Sequence, residues 1–327
     1  MRRRAFIAGL GAAVASPLTA RAQRTGGMPM LGILMPGNES DQGRQLRLTA
    51  FRTALARLGW SEGNNLRIET RWGGEDPALF ARYAAELVAL SPNVLLCDGS
   101  ATLEALQRQT RTIPIVFVTV GDPVGQGFVQ SLARPGGNIT GFSAMDSSLA
   151  EKWLEMLTQI VPPVTRIVVL YNPATFGQLM IHSVEEAAPH FAITVRTAAV
   201  EDVAGIEAIT AELAREQRGG MVVLPNAFTV SHRAAIIALA ARYRVPAVYS
   251  FPYFTTDGGL MSYGVNVTDL HRRSAGYVDR ILKGDKPGDL PVQRPVKFDL
   301  VINLKTAKAL DVAIAPALLA AADEVIE

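Results

Sequence analysis

The sequence predicts an α/β protein built from two similar lobes, each a doubly wound parallel sheet with helices on both faces. Three observations carry this expectation. From Met30 onward, strand-length apolar runs alternate with segments of helical periodicity. The runs are almost continuous in hydrophobicity, as strands covered on both faces are. The alternation is also duplicated: RTIPIVFV in one half corresponds to RYRVPAVYS in the other, each with arginine before an x-Pro step into an apolar run. Upstream, NVLLCDGS and GMVVLPNAFT correspond as strand, polar turn and helix start.

In chain order, the first segment is MRRRAFIAGLGAAVASPLTARAQ, where Arg2, Arg3 and Arg4 precede an apolar run and Ala20-Arg21-Ala22 supplies a small-x-small cleavage pattern. Residues 1–22 read as a secretory signal peptide, too short for a membrane span. Arg3-Arg4-Ala5-Phe6-Ile7 resembles the twin-arginine export motif. No cysteine follows to carry a lipid, so the expected location is the periplasm of a double-membraned bacterium. Removal of the signal leaves about 300 residues, beyond the size at which one core keeps growing.

The strands of the first half are LGILM, LRIETRW, NVLLC, IPIVFVTV and NITGF; those of the second are RIVVLYN, ITVRTAAV, GMVVLPN, PAVYSF and GLMSYGV. Between them, Leu46, Phe51, Leu55 and Leu58 recur at helical spacing before Gly59. Asp76-Pro77 is an N-cap and first-turn proline. Ser148 and Glu151 form a capping box before Trp153, with Pro162 as the stop. A late helix runs from about Thr268 to Lys283, and DKPGDLPVQRPV is an extended crossing.

Composition narrows the chemistry. With 32 Lys and Arg against 30 Asp and Glu, the chain has a formal charge of +2 and no basic stripe with interleaved aromatics, which argues against a nucleic-acid partner. No later apolar run is long enough to embed in a bilayer. Cys97 is the one cysteine and sits in the apolar run VLLC. His182, His190, His232 and His271 fall in helical segments without metal-ligand spacing. Gly141-Phe142-Ser143-Ala144-Met145 fails the nucleophile-elbow pattern at its last position. The turn GDPVGQG lacks a phosphate-binding lysine. No catalytic residue, metal or cofactor is expected.

Ligands of open α/β sheets sit at the carboxyl ends of strands. That rule selects Pro36–Asp41, Asp98–Thr102 and Gly121–Gly125 in the first lobe, and Asn172–Phe176, Pro225–Thr229 and Ser250–Phe254 in the second. Ser100, Ala101 and Thr102 open a helix and suit a carboxylate, unless Ser100 caps its own helix. Asp122, followed by Pro123, suits an amine, or caps its local turn. Asn38, with Ser40 beside it, and Asn172 and Asn226 fix polar groups or form turns. Phe228 and Tyr253 stack on a planar ligand or pack the core.

Two blocks carry a more specific likeness: VGDPVGQGFVQSLARPGGNITGFS, and GGLMSYGVNVTDLHRRSAGYVDRILKGDKPGDLPVQRPVKFDLVINLKTAKAL. Through them the chain resembles the tryptophan/tyrosine-type substrate-binding family of ABC transporters. The resemblance implies a type I periplasmic binding fold: two Rossmann-like lobes, three crossovers, and a small-molecule ligand between them. It implies lobe 1 over 28–142 and 265–286 and lobe 2 over 143–264 and 287–327; Gly258, Gly259 and Gly264, near the return, are hinge glycines or form a tight turn before a strand. It further implies a monomer that delivers a solute, amino-acid-like or aromatic, to a membrane permease with a separate ATPase. A periplasmic ligand-sensing subunit is the alternative, and an exported enzyme a more distant one.

Overall fold

The computed structural model describes residues 27–160, 164–173, 178–216 and 218–327. The expected signal peptide at 1–22, the helix stop at Pro162 and the 174–176 part of one selected turn lie outside these residues.

The first half alternates Met30–Met35 (β1), Gln42–Arg57 (α1), Arg67–Trp72 (β2), Pro77–Ala89 (α2), Val94–Asp98 (β3), Ser100–Gln109 (α3), Ile115–Val120 (β4) and Ile139–Ser143 (β5). These strands form a parallel sheet in the order β2-β1-β3-β4-β5. The buried residues of β1 and β3 explain their nearly continuous apolar runs. Helix starts follow local chemistry. Asp41 accepts from the Arg44 N–H at 3.1 Å and Asp76 from the Ala78 N–H at 2.8 Å, with Pro77 in the first turn, where its missing N–H costs nothing.

The second half contains Ser148–Ile160 (α4), Arg166–Tyr171 (β6), Gln178–Ala187 (α5), Thr194–Ala199 (β7), Val203–Leu213 (α6), Gly219–Val223 (β8), Ala227–Ser231 (α7), Arg233–Arg242 (α8), Ala247–Tyr249 (β9), Pro252–Thr256 (α9) and Met261–Val265 (β10). After β10 come Val267–Leu282 (α10), Phe298–Asn303 (β11), Leu304–Leu310 (α11), Pro316–Ala320 (α12) and Glu324–Ile326 (β12). The second sheet runs β12-β11-β10-β9-β8-β6-β7. Its stretch β7-β6-β8-β9-β10 repeats the order of the first sheet strand for strand. The duplication expected from sequence is therefore topological. β11 then adds the antiparallel pair with β10.

Three connections join the sheets: after β5 into α4, from β10 into α10, and before β11. Helix α10 returns to the first sheet and packs along α1, with Trp60 Nε1 donating to Asp279 Oδ1 at 2.9 Å. Helix α4 lies on the second sheet, where Trp153 Nε1 donates to the Tyr263 carbonyl at 2.7 Å.

Several expectations need correction. The segment 287–293 stays with the first sheet: Gln293 N–H donates to the Gly141 carbonyl and the Ser143 N–H to the Gln293 carbonyl, both at 2.9 Å. The crossing therefore comes after Gln293. The capping box at Ser148 is displaced, because Ser148 is already helical and the Asp146 carboxylate accepts its N–H at 3.0 Å.

The hinge reading of the glycines also changes. Gly258 and Gly259 lie in the turn between α9 and β10, inside the second lobe. Gly258 has φ +113°, and a Cβ on Gly259 would stand 2.6 Å from the Tyr249 ring. Gly264 stands near a crossing, but its role is close approach: an added Cβ would lie 1.7 Å from the Ser250 carbonyl oxygen. Gly264→Ala should cost about 1–3 kcal/mol in chemical denaturation, since neither backbone segment can yield. Gly276→Ala, in α10 with nothing within 4 Å of the new methyl, should instead stabilise by about 0.5–1 kcal/mol.

Candidate functional site

Parallel strands aim their carboxyl ends at turns, and the turns of the two sheets enclose a cleft of about 850 Å³. That lies within the roughly 300–1,000 Å³ usual for small-molecule sites. The first lobe contributes Asp98 at the end of β3 with Gly99 through Thr102 after it, Thr119 in β4 with Gly121, Asp122 and Gly125 after it, and Arg44 and Phe80 from helices. The second lobe contributes Pro225 and Asn226 after β8, and Ser250 and Phe251 after β9. Met145, Leu149, Met180 and Val265 add an apolar wall.

The amino terminus of α3 opens into this space. Its N-cap is Gly99, at φ +90° and with no side chain to accept the first helical N–H groups. Ser100 is the first helical residue, so it does not cap the helix. Ser100 and Ala101 line the cleft beside those N–H groups. Thr102 also lines it, but its hydroxyl is turned to the Asp98 and Gly99 carbonyls, 2.7 and 2.9 Å away.

The other sequence candidates divide. Asp122 reaches the cleft while its Oδ1 accepts the Gly125 N–H at 2.8 Å, so the turn-capping role is real. Pro123 is buried behind it and does not line the cleft. Asn38 and Ser40 are exposed in the entry turn of α1, away from the wall; Pro36 and Arg44 reach it instead. Asn172 is also off the wall, its Nδ2 donating to the Val200 carbonyl at 2.8 Å. Asn226 lines the cleft, but its amide caps α7, accepting the Thr229 N–H at 2.9 Å.

Among the aromatics, Phe228 packs its ring 4.3 Å from His232, and Tyr253 stacks between Phe251 and Phe254. Neither lines the cleft; Phe251 does, braced by Tyr253. Burial raises the Tyr253 phenol pKa, with Arg47, Arg233 and Arg44 opposing.

The floor joins Asp98, from a turn selected in the sequence but given no role there, to Thr119, Arg47 and His271, which were not selected as cleft residues. Asp98, at the end of β3, is 4% exposed and accepts from the Thr119 hydroxyl. Thr119 has φ +59°, uncommon for a β-branched residue, at a register shift in β4. Arg47 Nη1 lies 3.8 Å and His271 Nε2 3.6 Å from Asp98 Oδ2. His271 is fully buried on α10, and its Nδ1 lies 2.9 Å from the Val267 carbonyl. A carbonyl only accepts, so Nδ1 carries the proton and Nε2 is left bare, without a partner. Burial pushes the His271 pKa below its ordinary value, more than Asp98 raises it. Among the described residues, no cluster of three His, Cys, Asp or Glu could hold a metal, and no helix is long and apolar enough to cross a membrane.

Duplicated open sheets around a shared cleft are the architecture of type I periplasmic binding proteins. Over residues 40–326 the chain matches the family described as ABC transporter substrate binding protein. It belongs to that family. A tyrosine-binding protein of Clostridioides difficile is 25% identical over 262 residues, spanning 80% of this chain and 75% of the relative. A conserved domain protein of Vibrio cholerae, solved as a crystal structure, shares 28% identity with a TM-score of 0.80 over 91% of this chain and all of that one. The ABC domain of Streptococcus pneumoniae in complex with L-Trp is 23% identical and shares the fold, with a TM-score of 0.80 over 92% of this chain and all of that one.

The buried histidine makes this binding protein's stability depend on pH. The folded His271 pKa lies below the ordinary imidazole value of 6.5, so the unfolded chain takes up the proton first on acidification. Its contribution is complete above pH 6.5 and is lost as pH falls toward the folded value. Denaturation midpoints should decline more steeply over that range in the wild type than in His271→Gln.

Proposed function

We propose that this chain is the periplasmic solute-binding component of an ABC importer, and that its cleft captures an aromatic amino acid. One observation carries the reading: the uncapped amino terminus of α3 opens into the same cleft as three carboxylates, of which Glu75 is paired with Arg44, and an apolar wall containing Phe80, Phe251, Met145 and Met180. Helix N–H groups and their partial positive charge suit the ligand carboxylate. Asp98 and Asp122 supply the negative charge an ammonium requires. The apolar wall suits a ring, with sulfur–aromatic and ring–ring contacts available. The names of two similar proteins, one tyrosine-binding and one bound to L-Trp, support the same class.

Capture follows from contacts to both lobes. A solute touching α3 in one and Phe251 in the other favours the closed arrangement by its difference in affinity for closed and open forms, and by no more than that. No chemistry is performed on it. Family membership supports delivery of the solute to a permease with a separate ATPase. Export would leave a mature amino terminus near Ala22, which terminal sequencing of periplasmic protein would detect.

L-tryptophan, L-tyrosine or L-phenylalanine should raise the melting temperature, whereas tryptamine and indole-3-propionate at equal concentration should raise it less. Ser100→Pro removes one N–H at a position where proline suits a helix, and should weaken L-tryptophan about tenfold more than Ser100→Ala does. A protein indifferent to amino acids but stabilised by a sugar would overturn the aromatic-amino-acid reading.

A further inference from the structure

Beneath the cleft, two hydrogen-bond acceptors face each other without a donor between them. Asp98 Oδ2 and the bare His271 Nε2 are 3.6 Å apart, on residues 4% and 0% exposed. The His271 tautomer is set by the Val267 carbonyl, so Nε2 cannot become a donor by moving that proton. No polar group satisfies Nε2, and such a vacancy in a dry interior is unfavourable. The other Asp98 oxygen is already taken by the Thr119 hydroxyl.

We propose that Asp98 is the residue that selects a ligand's cationic group, and that His271, acting through Asp98 as a positioning residue, makes retention of that group acid-sensitive. The proposal rests on the reading of the cleft as an amino-acid site. With His271 neutral, the carboxylate has only Arg47, at 3.8 Å and without a hydrogen bond, as a cationic neighbour. An arriving ammonium supplies the missing positive charge. Once Nε2 gains a proton from solvent it becomes a donor aimed at Asp98 Oδ2. The carboxylate then has two fixed cations beside it, and the ammonium is released.

The surroundings leave few competing charges. Helix α10 packs on α1, β3, β4 and β5. From α1 comes Arg47, which opposes imidazolium formation, and from β3 Asp98, which favours it. The strands β4 and β5 carry no titratable side chain. Cys97, also in β3, is buried among the core residues of the opposite sheet face. On α10 itself, Asp269, its side chain 10% exposed, is paired with the exposed Arg272. Burial lowers the His271 pKa, which places the switch on the acid side of neutrality.

Two measurements test this on the full chain. Histidine carbon–proton NMR of the ligand-free protein, with His271 assigned by comparison with His271→Gln, should give a midpoint below 6.5 that falls further in Asp98→Asn. An unchanged midpoint would show that the two groups are not coupled and overturn the switch. Calorimetry with L-tryptophan and with indole-3-propionate, which lacks the amine, isolates the charge-selecting step. The ratio of the two affinities should drop about tenfold per pH unit below the His271 midpoint. Asp98→Asn should lower the ratio at pH 7.5 by about ten- to hundred-fold, and His271→Gln, which cannot gain a charge, should remove the pH dependence so that the ratio at pH 5.5 no longer falls below that at pH 7.5. A ratio preserved in Asp98→Asn but lost in Asp122→Asn would assign the selection to Asp122 and overturn the proposal. If neither probe binds at any pH, the amino-acid reading fails and charge selection with it, while the NMR midpoints still decide the coupling.

Discussion

A parallel sheet covered by helices on both faces can meet a ligand only at the ends of its strands, and that constraint organises this molecule. The faces of both sheets are spent on packing, which is why β1, β3 and β8 are apolar along almost their whole length. What remains accessible are the turns at the carboxyl ends, together with the helix amino termini that follow them. Using the same strand order twice and turning the two sets of ends toward one another gives a site with two walls. Neither wall is complete alone: α3 belongs to one, Phe251 to the other.

The lobes are bound by backbone as much as by side chains. Residue 293 pairs with β5 through an isolated parallel bridge, and Trp153 anchors α4 to the strand that leads into α10. Where β10 passes Ser250, the chains approach so closely that only glycine fits. Glycine near a crossing is therefore here a matter of distance between backbones. The same residue type at Gly258 serves positive φ in a turn within one lobe. Sequence alone does not distinguish these uses, because both remove a side chain and only the neighbours differ.

Legibility followed the range of the interactions. Strand and helix order depends on local periodicity and caps, and residues such as Asp76 and Pro77 announce their helix within a few positions. The turns at strand ends were equally visible, and so Ser100, Ala101, Asp122 and Asn226 reach the cleft. Long-range geometry was not visible. Asn38 and Ser40 lie in the right turn but face outward, and Tyr253 braces the ring that reaches the wall. Thr119 looked like strand interior, because a bulge leaves no local mark. His271 shares a helix face with Ser274, Ala275 and Val278, all buried. That spacing signalled burial, but its partner is some 170 positions earlier.

The three tryptophans give the molecule an optical property. Trp60 is tied to α10 and Trp153 to β10, Trp72 closes β2, and none of the three borders the cleft. Their emission therefore surveys the frame and is blind to direct contact with an occupant. A non-fluorescent solute that alters the indole spectrum has shifted the scaffold around those rings.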